Sequence, residues 1–458
     1  MTARLLMIAL DAADRRLLEE WITAGTLPNL AALSARGAMK RLNAPAGATD
    51  DALWASFQYG VPLGEHGRYH YRTQLGAGYF GLAHQKEGDR KPFWRSLADH
   101  GLRVAVLDVP KCPAPQPLNG IHLIDWLVHG RYFDEPKSHP QSLAPEVLSR
   151  FGPAPPSRCG YYQEVLSDQA ILETVGNLRI SVAKKHAAGV HYLSAEPWDL
   201  FVIGFKEAHC AGHGLWHLVD ARHDEYDPAA KTRLGDPVRK IFGDLDGAIG
   251  DFVACAGPDA EIVVFSTSEM EPNGTLDHLM PEIVKRLNRC LCERRASGIR
   301  QALDKMLGNW ANPFDPYCEA LPYNENWGAL RVPQRRRYPR LLQEIETLLS
   351  ELTDADTGNP VVSSFARPAS DHVGRRSFSL PDLLIKYQTN TFPRAIVSPR
   401  LGHIEAEAPR MRPGNHASGG LLIAAGSRVA RLFHDVDSLE DFALLASRVL
   451  DSAPTQWD

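Results

Sequence analysis

Short, unbroken apolar runs recur along the chain, separated by stretches whose apolar positions follow helical spacing. Residues 5–10 (LLMIAL), 104–109 (VAVLDV), 200–205 (LFVIGF), 262–266 (IVVFS) and 421–425 each read as a strand buried on both faces. Between the first two runs, Leu17, Leu18, Trp21 and Ile22 share a helical face, with Asp14 placed to cap that helix and Gly25 to end it. Ahead of the run at 262–266, Ile241, Leu245, Ile249 and Phe252 form a second apolar face. Continuous apolar strands alternating with amphipathic helices predict an α/β fold, with a mostly parallel central sheet between helical layers.

Two regions break this rhythm. Residues 110–165 are proline-rich (KCPAPQPLNG, FGPAPPSRCG) and read as a long surface excursion. Residues 276–355 carry basic, helix-like segments (IVKRLNRCLCERR, PQRRRYPRLLQEIETLL) and read as an inserted helical cap, their arginines forming solvated faces. With both treated as insertions, residues 1–458 form a single domain.

Composition narrows the partners. A net charge of −5 gives no electrostatic reason to expect nucleic acid or an anionic membrane. No stretch approaches the roughly twenty apolar residues that a membrane span needs. The N-terminal apolar run is too short for a signal-peptide core and lacks a small-residue cleavage pattern after it. Seven scattered cysteines without a CxxC pair argue against a disulfide framework or a zinc ribbon. The expectation is a reduced cytoplasmic protein.

In open α/β sheets, ligands bind beyond the carboxyl ends of the strands, so the residues following each strand carry the chemistry. Asp11 follows the first run. Glu207, His209 and His213 follow the run at 200–205, and Thr267, Ser268 and Glu269 follow the run at 262–266. His416 precedes the run at 421–425. His209 and His213, four apart, share one face of a helical turn and can grip one divalent ion, with Glu207 beside them. His416, in a glycine-flanked loop, would complete a three-histidine set. Three neutral imidazoles with one open position form a catalytic rather than a structural zinc pattern.

These residues stand within a longer resemblance. LLMIALDAAD, then ALWASFQYG followed by GEHGRYHY, then Glu-x-His-x-x-Gly-His at 207–213, resemble the alkaline-phosphatase superfamily. NWGALRV, DADTGNPVV, LPDLLIKY and RPGNHASGGLLIAAG resemble later segments of its type I phosphodiesterase and nucleotide-pyrophosphatase branch. The match is collinear from residue 4 to about 428. It implies two zinc sites, one at His209, His213 and His416, the other at Asp11 and an aspartate–histidine pair after the run at 262–266. His209 stands where the family has aspartate. The expected Ser-Asp-His-Gly reads Ser266-Thr267-Ser268-Glu269, so the pair is missing. Glu269 could supply one oxygen, and Asp371-His372 offers an aspartate–histidine pair elsewhere. The family nucleophile, a threonine or serine just before the tryptophan, falls at Thr49 chemically and at Asp50 by strict spacing. Thr49 also suits the N-cap of the helix beginning near residue 50.

Hydroxyls bind zinc poorly, and Asp11 alone cannot hold an ion, so one zinc per chain is expected. In the mechanism this favours, water activated at the three-histidine zinc attacks a phosphoryl or sulfuryl centre, with Asp50 or Asp51 orienting it or serving as base. The function expected is metal-dependent hydrolysis, or group transfer, on a phosphate- or sulfate-like ester of a small molecule. The alternative is a catalytically silent relative that binds a ligand in the same pocket.

Overall fold

The computed structural model describes residues 3–452 apart from 77–78, 83–89, 128–132, 158–159, 161–165, 296–315 and 324. Its centre is an eight-stranded sheet. Numbered along the chain, the strands are β1 (Ala3–Leu10), β2 (Ala38–Leu42), β3 (Val104–Leu107), β4 (Gly120–Ile124), β5 (Lys137–His139), β6 (Trp198–Phe205), β7 (Glu261–Ser266) and β8 (Gly420–Ala425). Their spatial order is β2-β8-β7-β1-β6-β3-β4-β5. The inner five, β7 to β4, run parallel, while β8 and β5 are antiparallel to their inner neighbours.

All five apolar runs become strands of this sheet, because only a position covered on both faces suits a run without polar alternation. Alternate residues of β1 enter two separate cores. Leu6, Ile8 and Leu10 pack under helices Asp168–Ala195 and Pro237–Ala256. Leu5, Met7 and Ala9 pack with Trp54, Phe57 and Phe442 on the opposite face. Helix Arg15–Thr23 begins as its sequence signals, with Asp14 accepting a hydrogen bond from the Leu17 backbone N–H.

The two irregular regions fold more regularly than their composition suggests. Residues 110–165 contain β4 and β5 of the central sheet and helix Leu143–Phe151, so only part of the segment is an excursion. Proline punctuation marks its connections and hides two short strands. Residues 276–355 contribute helices Met280–Arg295 and Leu341–Leu349, but also strands Glu319–Leu321 and Trp327–Arg331. These strands join Leu383–Tyr387 and Val362–Ala366 in a second, four-stranded antiparallel sheet outside the first. The segment is therefore not purely helical: GALR is short and followed by a basic run, and one of its two partner strands, Leu383–Tyr387, comes from outside the segment. A third core, including Leu287, Leu330, Leu348 and Ile385, holds this layer together.

Candidate metal centre

Helix Glu207–Leu215 starts two residues after β6 and carries His209 and His213 on one turn. His416 lies on the short strand Gly414–Ala417, which pairs antiparallel with Glu269–Pro272 and sets Met270 opposite His416. Helix and strand can approach because both carry glycine at the contact. A Cβ on Gly414 would sit 2.1 Å from the Gly212 carbonyl oxygen. The ring centroids of His209, His213 and His416 are 4.4, 4.8 and 4.6 Å apart pairwise, and one nitrogen from each falls within 4.8 Å of the others. All three side chains are buried.

Each ring is fixed through Nδ1. Asp11 Oδ2 lies 3.0 Å from His209 Nδ1, the Gly414 carbonyl oxygen 2.8 Å from His213 Nδ1, and Glu325 Oε1 3.0 Å from His416 Nδ1. Carbonyl and carboxylate oxygens accept hydrogen bonds, so Nδ1 carries the proton and Nε2 the lone pair in His213 and His416, while His209 Nδ1 meets Asp11 as a charge contact. Nδ1 held by a carboxylate or carbonyl is the usual support of a metal-ligating histidine. The buried His416 Nε2 has no hydrogen-bond partner among the described residues, as an atom reserved for a ligand would. The donor set thus fits a divalent metal.

The surrounding charges support these roles. Burial would raise the Asp11 carboxyl, but the His209 imidazole, by charge and hydrogen bond, holds it below its usual range. Burial works likewise on Glu325, and His416 outweighs it. Burial drives His213 well below the ordinary imidazole range. His416 moves the other way, since Glu325 and Asp50 overcome its desolvation.

Asp50, the first residue of helix Asp50–Tyr59, brings its carboxylate to the same place, since oxygens of Asp50 and Glu325 and a nitrogen of His416 form a second compact group. Its Oδ2 is 3.3 Å from Lys111 Nζ, and Asp51 Oδ2 is 3.2 Å from the same ammonium. Arg68 donates to Asp51 Oδ1 at 3.0 Å. Lys111 arrives on the turn after β3 with φ of 57°, and Asp108 at the start of that turn has φ of 52°. Left-handed backbone costs a residue such as lysine about 1 kcal/mol, a strain found at functional positions. Gln58 donates to the Pro110 carbonyl at 2.8 Å and pins the turn against the helix that carries Asp50.

Several expected site residues are placed differently. Thr49 is the N-cap: its buried hydroxyl accepts from the Ala52 N–H and donates to the Tyr69 carbonyl at 2.7 Å. Its proton and one lone pair hold that loop. Asp11 is not in the compact donor group; besides meeting His209, it accepts from Trp54 Nε1 at 2.9 Å and from the Thr267 hydroxyl at 3.2 Å. Three contacts thus surround its carboxylate, and it stands beside the three-histidine group rather than within it. Thr267 sits behind the site for the same reason, also accepting from the Ala12 N–H. Ser268 is buried but supplies only a hydroxyl. Glu207 points into the core beneath the sheet, accepting from the Ser181 hydroxyl at 2.6 Å, with Lys185 Nζ 3.5 Å away. Glu269 faces outward to Arg15, Arg16 and Arg41. Asp371 is exposed and accepts from the Arg367 N–H, so it offers no replacement pair at the histidines.

Glu325 and Lys111 were not anticipated. Lys111 follows β3, so the strand-end rule that found Asp11 could have found it. Glu325 stands just before the NWGALRV segment, where its acidic side chain was the available signal.

A parallel sheet with three histidines and two carboxylates gathered at its carboxyl edge defines an alkaline-phosphatase-like protein. More narrowly, the chain belongs to the type I phosphodiesterase / nucleotide pyrophosphatase family, whose model matches residues 5–364. That places it among phosphoester hydrolases; His416 lies beyond the matched stretch. No curated protein sequence matches it. Among solved structures it resembles phosphonoacetate hydrolase from Sinorhizobium meliloti 1021 in complex with phosphonoformate, with a TM-score of 0.55, 13% identity, and 97% of this chain and 96% of that chain covered. Murine ectonucleotide pyrophosphatase / phosphodiesterase 5 gives a TM-score of 0.52 at 9% identity, covering 98% and 95%. An inactive variant of that murine protein, solved with AMP, gives 0.51 at 9% identity, covering 98% and 96%. At these identities the likeness is one of fold. Among the described residues no helix is long and apolar enough to cross a membrane.

Proposed function

We propose that this protein is a zinc-dependent hydrolase of phosphate esters of small molecules, working with one ion per chain held by His209, His213 and His416. The observation that carries this reading is the convergence of one nitrogen from each of the three buried imidazoles within 4.8 Å of one another, beside the Asp50 carboxylate. Zinc bound there supplies Lewis-acid chemistry, polarising a phosphoryl oxygen and acidifying water.

The chain's own groups do the rest. Asp50 orients the attacking water and takes its proton as the new oxygen–phosphorus bond forms and the ester P–O bond breaks, the departing alcohol oxygen then taking a proton from Asp50 or solvent. Lys111 holds the Asp50 carboxylate in place by their ion pair. Glu325 holds the His416 ring in the productive tautomer, and Asp11 meets the His209 ring as a charge contact. Thr49 positions the start of the helix, so the hydroxyl nucleophile suggested by the family pattern gives way to water. The scattered cysteines support a reduced, cytoplasmic setting.

Two observations favour the alternative, a silent binding protein: the threonine hydroxyl caps a helix, and the positions after Ser266 carry hydroxyls in place of the aspartate–histidine pair. Elemental analysis with assays on p-nitrophenyl phosphate, bis-p-nitrophenyl phosphate and p-nitrophenyl sulfate decides between them. One zinc per chain with phosphoester turnover supports the hydrolase. A chain that takes up no metal near neutral pH and cleaves none of the three is the silent protein.

A further inference from the structure

The groups that the family pattern assigns to a second ion do not fit one here. Asp11 is engaged by Trp54, Thr267 and His209, and the two positions after Ser266 carry hydroxyls. Yet the site keeps more negative charge than one divalent ion would need. Asp50, Asp51 and Glu325 are all buried around it, and Arg68 is paired with one oxygen of Asp51. Oxygens of Asp50 and Glu325 lie within 4.8 Å of each other, and Glu325 Oε2 has no hydrogen-bond partner among the described residues. Carboxylates this close and this dry require a cation.

The structure contains such a cation. Lys111 Nζ sits against one oxygen of Asp50 and one of Asp51, at 3.3 and 3.2 Å, and is itself buried. It is held on a left-handed backbone in a turn tied down by Gln58. The two carboxylates outweigh its desolvation and hold the ammonium above the ordinary lysine range. A flexible surface lysine would need none of this construction.

We propose that the Lys111 ammonium is an internal stand-in for a second metal ion. It occupies the cation position between Asp50 and Asp51, limits the protein to one divalent ion, and positions Asp50 for the reaction. The proposal rests on the functional reading above only in taking the three histidines as the site of that one ion. Removing the ammonium while keeping the carboxylates should open a vacancy that a hard divalent ion can fill through Asp50 and Asp51, with Glu325 in reach of Asp50.

The test uses the full-length protein and the variants Lys111→Arg, Lys111→Met and Lys111→Ala, each dialysed against Zn²⁺ and then Mn²⁺ at neutral pH. Ions per chain are counted by elemental analysis. Wild type and Lys111→Arg should hold about one ion; Lys111→Met and Lys111→Ala should hold about two. Ethylammonium, a soluble copy of the lost group, should return the Lys111→Ala count to about one. If either uncharged variant fails to fold alone, supplied Mn²⁺ should restore the folded protein, and failure in both conditions overturns the proposal. Two ions in wild type, or one ion in both folded uncharged variants, also overturns it. The outcome separates from the fate of the hydrolase reading. A chain that cleaves no phosphoester yet gains an ion on losing the ammonium sinks the hydrolase and keeps the lysine. Turnover with unchanged counts does the reverse.

Discussion

Asp11 and His209 meet across the carboxyl ends of the adjacent parallel strands β1 and β6, with Oδ2 of one 3.0 Å from Nδ1 of the other. The carboxylate orients the ring and is in turn held by Trp54 and Thr267, so the first strand of the sheet supports the centre without entering it. Asp11→Asn should therefore lower zinc affinity by about 10- to 100-fold, in line with other supports of metal-bound histidines. The variant should still bind one ion at saturating zinc. Complete loss of binding in a competitive chelator titration would show that Asp11 is itself a ligand.

His213 Nδ1 is held by the Gly414 carbonyl. His213→Ala removes one of three donors and should abolish tight zinc binding and phosphoester turnover together, leaving the circular dichroism spectrum unchanged. Retained stoichiometric zinc would mean the ion sits elsewhere.

Asp50 and Thr49 separate by experiment. Asp50→Asn keeps the shape and the helix start but removes the base, so kcat should fall by roughly 10²- to 10⁴-fold with the zinc content intact. Thr49→Val removes a buried cap and should cost about 1–2 kcal/mol in denaturant unfolding. It should leave kcat within a few-fold of wild type. If Thr49→Val instead abolishes turnover in a folded, metal-loaded protein, the threonine is the nucleophile after all.

The central sheet was legible because each of its five long runs is apolar without alternation, a pattern that only a doubly covered strand satisfies. The three histidines were legible for a related reason: two sit four apart directly after such a strand, and the third in a glycine-flanked loop just before another. Lys111 and Glu325 come from a proline-rich turn and an irregular link between two short strands. Local pattern there says nothing about which distant carboxylate or imidazole the chain will meet. Asp11 shows a different limit. A carboxylate at a strand end is visible in the sequence, but whether a metal or a neighbouring ring takes its lone pairs depends on Trp54 and Thr267, distant in sequence.

Acid should unfold the protein partly through His66, in the GEHGRYHY segment. Its Nδ1 accepts from the Arg68 N–H at 3.0 Å, so Nε2 carries the proton and faces Ser56 Oγ at 3.0 Å. Burial, followed by the charges of Arg68, Arg90 and Arg376, lowers its pKa from 6.5 to about 3. The unfolded chain therefore takes up a proton before the folded one. The contribution is whole above pH 6.5 and is lost as the pH falls towards 3, at up to about 1.4 kcal/mol per unit. The fall in unfolding free energy between about pH 6.5 and 4 should be shallower in His66→Gln. Equal slopes would remove His66 from the account.

Strand β8 enters the sheet between β2 and β7, although it is the last of the eight along the chain. His416 lies four residues ahead of it. During synthesis, β2 is thus left without its sheet neighbour, and the histidine cluster without its third ring, until residues 414–425 have emerged. Long-range pairing of this kind is slow and comes late in folding. The three-ring cluster is thus a late product of folding: it is assembled only once strand Gly414–Ala417 has paired with Glu269–Pro272.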